Sequence, residues 1–188
     1  MKEPFFIFQY LTNPRSVGAI FPSSKYLSEK MIEAINFENA EYIVEYGPGT
    51  GVFTEKILKR RKADTKIILV ENNNGFYFFL KRRFCNEPNL IIINSSAENI
   101  EQILYYYQIP NVDYIISGLP FTSLPTLISN KILLKSVKVL KENGLFVTFQ
   151  YTKLKMDLIK QCFPEIKIKR EFRNIPPAYI FNCKKITD

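Results

Sequence analysis

The chain has 188 residues, 46% apolar and 23% charged, which suits one domain with a real core and excludes a low-hydrophobicity disordered chain. It contains no histidine, and its three cysteines (Cys85, Cys162 and Cys183) are far apart, which excludes Ser-His-Asp triads, Cys-His pairs and most zinc sites, so no metal is expected. The net charge of +8 favours a polyanionic partner, either nucleic acid or an anionic membrane face, unless it reflects only a Lys-rich composition.

The chain opens on an apolar, aromatic stretch from Pro4 to Leu11, flanked by Lys2, Arg15, Lys25 and Lys30. It is short of a secretory signal, and nothing in the chain approaches the roughly 18 apolar residues of a membrane span. The expectation is cytoplasmic residence, peripheral at the inner membrane surface, with this stretch as an interfacial contact or as a lid over the core. A helix is predicted over Ser24–Ile35, capped by Ser23 or Ser24. Residues 1–36 are thus read as an N-terminal segment and residues 37–188 as the main domain.

Strand-like and helix-like patterns then alternate. A strand over Tyr42–Tyr46 runs into glycines, and a helix follows over Val52–Arg61. Further elements are a strand over Lys66–Val70 closing on Glu71, a helix over Phe76–Phe84 and a strand over Leu90–Ile93. A short helix is predicted over Ile100–Tyr107 and a strand over Val112–Ile116. A longer helix over Thr126–Leu140 should be ended by Asn143-Gly144. A strand over Leu145–Gln150, a helix over Lys153–Cys162 and strands near Ile166–Phe172 and Ala178–Cys183 complete the chain. The alternation implies an α/β fold with a mainly parallel seven-stranded sheet. Only Arg173-Asn174-Ile175-Pro176-Pro177 separates the last two strands, so they should form an antiparallel hairpin.

The strongest chemical signal is Val44-Glu45-Tyr46-Gly47-Pro48-Gly49-Thr50-Gly51, a G-x-G-x-G loop between a buried strand and a helix. Glycines there let the backbone turn sharply and lie against a ligand. Glu71, 20 residues beyond Gly51, ends the second strand, where a carboxylate accepts both hydroxyls of a ribose. A plain strand–helix turn with a surface glutamate is the structural alternative.

On these residues the chain resembles class I S-adenosylmethionine methyltransferases, with a single Rossmann-like domain. The resemblance implies that Glu45, Gly47, Gly49, Thr50, Gly51 and Glu71 hold S-adenosylmethionine. It also places Ser96 and Ala97 at the adenine, where the family often has Asp-Ala; a helix-capping role is the alternative for Ser96. A narrower resemblance rests on Val17 to Ser24, Glu45 to Thr54, Ser117-Gly118-Leu119-Pro120-Phe121 and Arg173 to Ala178. It is to bacterial phospholipid N-methyltransferases of the PmtA type, which methylate phosphatidylethanolamine towards phosphatidylcholine. Adenine N6-methyltransferases of ribosomal RNA are also similar, with a polar residue, an apolar one, Pro and an aromatic at this motif. Their polar side chain receives the exocyclic amine and their aromatic stacks on the base. The matching residues here are Gly118, Leu119, Pro120 and Phe121, so no side chain stands at the amine position, and a nucleic-acid substrate is the less favoured reading. The carbonyls of Ser117 and Gly118, with the Phe121 ring, are then expected to meet a small cationic headgroup. Tyr46, Tyr179 or a water held by a carboxylate are the candidate bases, with a packed aromatic as the alternative for each tyrosine. Ser23, Ser24 and Arg173 are candidates for substrate or phosphate contact.

Overall fold

The computed structural model describes residues 25–185. The N-terminal stretch, the Val17–Ser24 motif, Ser23 and Ser24 therefore lie outside the described residues. Strands β1 (Tyr42–Tyr46), β2 (Lys66–Glu71), β3 (Leu90–Asn94), β4 (Val112–Ser117), β5 (Leu140–Gln150), β6 (Glu165–Glu171) and β7 (Ala178–Lys184) form one sheet in the order β3-β2-β1-β4-β5-β7-β6. The first five are parallel, and β7 runs antiparallel between β5 and β6. The chain winds outward from β1 to β3, then returns to β4 beside β1. The crevice at the carboxyl ends of β1 and β4 is the switch point where ligands bind in such sheets.

The central strands read as continuous apolar runs because both faces are covered. Val44 and Tyr46 face one side, with Ile68, Val70, Ile115 and Phe146. Helices α4 (Ile100–Tyr106), α5 (Thr126–Val139) and α6 (Met156–Cys162) close that side, through Ile103, Leu133 and Ile159. Ile43, Ile67 and Leu69 face the other side, under α1 (Lys25–Ile32), α2 (Val52–Arg60) and α3 (Asn74–Arg83). Leu27, Met31 and Ile32 of α1 are fully buried in that second layer. The expected boundary at residue 36 therefore does not separate α1 from the sheet.

Several helix ends differ from the sequence reading. Helix α3 begins earlier because Asn73 caps it, its side chain accepting from the Phe76 amide at 3.1 Å. A single 3-10 turn, Ala97–Asn99, precedes α4. Helix α5 ends at Val139, and Asn143-Gly144 falls within β5 instead of ending the helix. There Asn143 takes a positive φ of 60°, and the register against β4 shifts between Val112 and Tyr114. The outer edge strand β6 carries Lys167 and Lys169, charges that discourage pairing with a further strand.

Phe146 sits at the centre of the first layer, stacked on Phe163 at 5.3 Å and edge-on to Phe121 at 6.0 Å. Replacing Phe146 by alanine should cost about 3–5 kcal/mol, whereas Phe78→Ala, at an exposed position of α3, should stay within about 0.5 kcal/mol. Urea unfolding followed by circular dichroism checks both.

Candidate active site

The carboxyl ends of β1 and β4 are held together by backbone. The Gly118 amide donates to the Tyr46 carbonyl at 2.8 Å, and the Gly47 amide donates to the Val70 carbonyl at 3.0 Å. A Cβ built on Gly118 would lie 2.8 Å from the Gly47 oxygen, and one on Gly47 would lie 2.9 Å from the Leu119 side chain. The glycine loop and the Gly118-Leu119 segment interlock: a side chain on Gly118 would meet backbone, and one on Gly47, at φ +61°, would be strained and would have to displace the Leu119 side chain. At Gly49, with φ +55°, nothing among the described residues lies within 4 Å of a built Cβ. The loop therefore turns an open, side-chain-free backbone surface outward at that point.

Two buried carboxylates flank this surface. The Glu71 Oε2 accepts from the Gly49 amide at 3.0 Å and its Oε1 from the Asn73 amide at 2.9 Å. Glu71 thus clasps the glycine loop to the end of β2. Burial raises its pKa despite these hydrogen bonds. Glu45 is fully buried at the end of β1. Its Oε2 accepts from the Thr54 hydroxyl at 2.7 Å, while its Oε1 has no hydrogen-bond partner among the described residues. Burial pushes the Glu45 carboxyl up to about 8, with the Glu71 charge adding to the shift and the Thr54 hydrogen bond opposing it. A buried acceptor without a donor is costly in isolation, and an ammonium group would satisfy it. The orphan oxygen, the open Gly49 surface and the clasping Glu71 fit a zwitterionic cofactor bearing a ribose.

The remaining predicted residues divide. Ser117 is fully buried; its hydroxyl accepts from the Leu119 amide at 3.3 Å and its carbonyl from the Thr148 hydroxyl at 3.2 Å. That carbonyl is therefore committed within the fold and does not face a headgroup. Ser96 caps the 3-10 turn, its hydroxyl accepting from the Glu98 amide at 3.3 Å, and Ala97 packs in the first core layer. Thr50 lends its carbonyl to Arg83 at 2.6 Å.

Tyr46 is corrected as a base. Its ring is wholly buried, its hydroxyl meets the Ser136 hydroxyl at 3.3 Å, and burial drives its pKa far above the ordinary 10.0. Phe121 is likewise corrected as a cation–π partner, since it is 1% exposed and packs edge-on to Phe146. Arg173 is found in an ion pair within the hairpin turn. Its Nε and Nη2 donate to the two Glu171 oxygens at 2.9 Å each, and its guanidinium lies over the Tyr26 ring. That pairing holds the Glu171 carboxyl down at about 2. Tyr179, half-buried on β7, stands at the outer rim with Lys153 and Arg170 over its ring.

Sequence reasoning missed Thr54 and Gln150. Thr54 lies inside a quoted motif, where a polar residue on a buried helical face was the available signal. Gln150 ends β5 and is buried; its Nε2 donates to the Leu119 carbonyl at 3.1 Å and its Oε1 accepts from the Thr122 amide at 3.4 Å. It splints the Leu119-Pro120-Phe121 turn from a strand distant in sequence, and no motif announces it.

The fold is similar to that of TrmN from Thermus thermophilus, with a TM-score of 0.68 at 11% identity over 85% of this chain and 48% of that one. The chain is 30% identical over 193 residues to an ornithine lipid N-methyltransferase of Singulisphaera acidiphila, covering 100% of this chain and 99% of that protein. It is also 29% identical over 124 residues to ribosomal RNA small subunit methyltransferase A of Mycoplasma capricolum subsp. capricolum, covering 65% of this chain and 43% of that protein. Fold and relatives together define a class I N-methyltransferase that uses S-adenosylmethionine. Within that class, the chain belongs to the ribosomal RNA adenine dimethylase family, whose model matches residues 5–166.

Two outcomes are expected from the site. The Glu45 carboxyl is raised from 4.5 in the unfolded chain to about 8 in the fold, so the folded state keeps a proton that the unfolded state loses. Stability of the unliganded protein should be greatest below the unfolded value and fall as pH rises towards about 8, by at most about 1.4 kcal/mol per pH unit from this group. Glu45→Gln should flatten that fall, as read by urea unfolding across the range. Tyr46→Phe should cost no more than about 1 kcal/mol of stability and keep the methyl-transfer rate, as read by unfolding and turnover.

Proposed function

We propose that this enzyme methylates the primary amine of an aminolipid headgroup at a membrane surface, with phosphatidylethanolamine as the leading acceptor. The observation that carries this reading is Gly118, pressed against the Gly47 oxygen with no room for a Cβ. An Asn or Asp there, of the kind that receives an adenine amine, would clash with the glycine loop. The end-to-end similarity to a lipid N-methyltransferase supports the same reading. An ornithine lipid is the second acceptor to test, since the headgroup of that relative's substrate also ends in an amine.

S-Adenosylmethionine supplies a methyl group on a sulfonium, already a good leaving group, so the protein's task is alignment and a neutral amine. Glu45 Oε1 would take the cofactor's ammonium, Glu71 its ribose hydroxyls, and the Gly47–Gly51 backbone would lie beneath it. The Ser117 carbonyl is engaged by Thr148 and the Leu119 carbonyl by Gln150. The Gly118 carbonyl is therefore the acceptor that would hold the substrate amine. A primary alkylammonium titrates near about 10, so a proton must leave before transfer. With no histidine in the chain, Tyr46 locked in the core and Tyr179 at the rim beneath Lys153 and Arg170, that proton would pass to water at the mouth of the crevice.

The test is methyl transfer from labelled S-adenosylmethionine to phosphatidylethanolamine and to an ornithine lipid, each in mixed vesicles, beside small-subunit ribosomal RNA. Label in a lipid fraction is expected, and the lipid that takes it identifies the headgroup. Label in RNA alone would overturn the reading. Glu71→Ala should weaken S-adenosylmethionine binding by at least about 100-fold, two hydrogen bonds to a charged group being worth about 1.5–3 kcal/mol each; calorimetric titration of the variant checks this.

A further inference from the structure

The β6–β7 hairpin turn lies at the same end of the sheet as the crevice, because Glu171 pairs with Ala178 and Gln150 with Tyr179. This rim carries large apolar side chains held out in solvent. Ile175 is 85% exposed at the tip of the turn, Phe172 is 66% exposed at its start, and Leu154, just beyond β5, is 71% exposed. Scattered singly such residues mean little, but here they share one end of the sheet with exposed cations. The Lys153 ammonium lies 5.2 Å from the Tyr179 ring centre. The Arg170 guanidinium lies over both that ring, at 5.0 Å, and Phe172, at 4.5 Å. The acidic groups nearby in the chain are Glu171, already tied to Arg173, and Asp157 in the first turn of α6.

We infer that this rim, built from Leu154, Phe172 and Ile175 with Lys153 and Arg170, is a membrane-docking surface that seats the open end of the sheet on an anionic bilayer. The occupant follows from charge complementarity. Apolar side chains enter the headgroup–acyl boundary, while the interleaved bases meet lipid phosphates. Aromatic rings and arginine suit that depth, where one end of the side chain is wet and the other apolar. Docking there turns the crevice between β1 and β4 towards the lipid amines, so the inference rests on the aminolipid reading and adds the surface that delivers such a substrate. It is independent of residues 1–24.

The chain contains no tryptophan, so a single introduced indole reports one position. In the Phe172→Trp variant of the full chain, emission should move to the blue on adding vesicles of phosphatidylcholine with phosphatidylglycerol. A Tyr105→Trp variant, exposed at the far end of α4, should not respond. The combined Leu154→Ser, Phe172→Ser, Ile175→Ser variant should lose at least about tenfold in vesicle partitioning. Its S-adenosylmethionine affinity should be unchanged, which shows that it is folded. High salt should weaken binding of the wild type to the same vesicles. An unshifted indole at position 172, full partitioning of the triple variant, or equal binding to purely zwitterionic vesicles would each overturn the surface. So would a shift at position 172 produced by ribosomal RNA and not by vesicles. Transfer to detergent-dispersed aminolipid separates the two proposals: intact transfer without docking sinks only the surface, and docking without transfer sinks only the acceptor reading.

Discussion

Everything at the site depends on two backbones lying closer than side chains would permit. Gly118, just past the end of β4, donates to the Tyr46 carbonyl while its Cα faces the Gly47 oxygen. The Leu119 side chain fills the space above Gly47 in return. This contact closes the floor between β1 and β4, and so sets how far apart the switch-point strands can stand. Gln150 and Thr148 brace it from β5, by holding the carbonyls on either side of Gly118. These hydrogen bonds fix the turn after β4 from both neighbouring strands.

Above that floor, the electrostatics are those of two carboxylates withdrawn from water. Glu71 is partly compensated by the amides of Gly49 in the loop it clasps and of Asn73, whereas Glu45 has one oxygen on Thr54 and one with no partner among the described residues. A carboxyl in that position is held protonated near neutrality until a cation arrives, and a cation would both satisfy the orphan oxygen and ionise the group. The unfavourable burial is concentrated where a positively charged ligand is expected, a placement of strain that functional sites commonly show.

The outer strands serve a different purpose. Strand β7 continues the sheet antiparallel to β5, and β6 ends it with a charged edge. Their hairpin brings apolar side chains and bases to the same end as the crevice, although they lie far from the glycine loop in sequence. The Glu171–Arg173 pair, stacked on Tyr26, fastens the turn to α1. The arginine that the sequence offered for phosphate is paired within the turn, and Lys153 and Arg170 face solvent at the same end.

The order of strands and helices, the glycine loop and Glu71 were legible in the sequence, because they depend on periodicity and local turn chemistry. The runs at Tyr42–Tyr46 and Lys66–Glu71 cannot satisfy water on either face, and the Gly47–Gly51 segment cannot continue a strand. The antiparallel hairpin was legible too, since five residues leave no room for a crossover. Element ends at Asn73 and Asn143 were less so, because a cap or a left-handed residue acts within one turn. Which way a side chain faces was not legible where competing roles share one residue type. Tyr46 reads as a base or as core until α5 brings Ser136 against it, and Phe121 reads as a cation–π partner until Phe146 is seen beside it. Gln150 carries no signal at all, for its partners lie 28 to 31 residues away. The sequence by itself determined the class of fold and the cofactor loop, through rules that act over a few residues. Only the tertiary structure decided which polar groups are spent holding the site and which are left to act, because that depends on what long-range packing sets opposite each one.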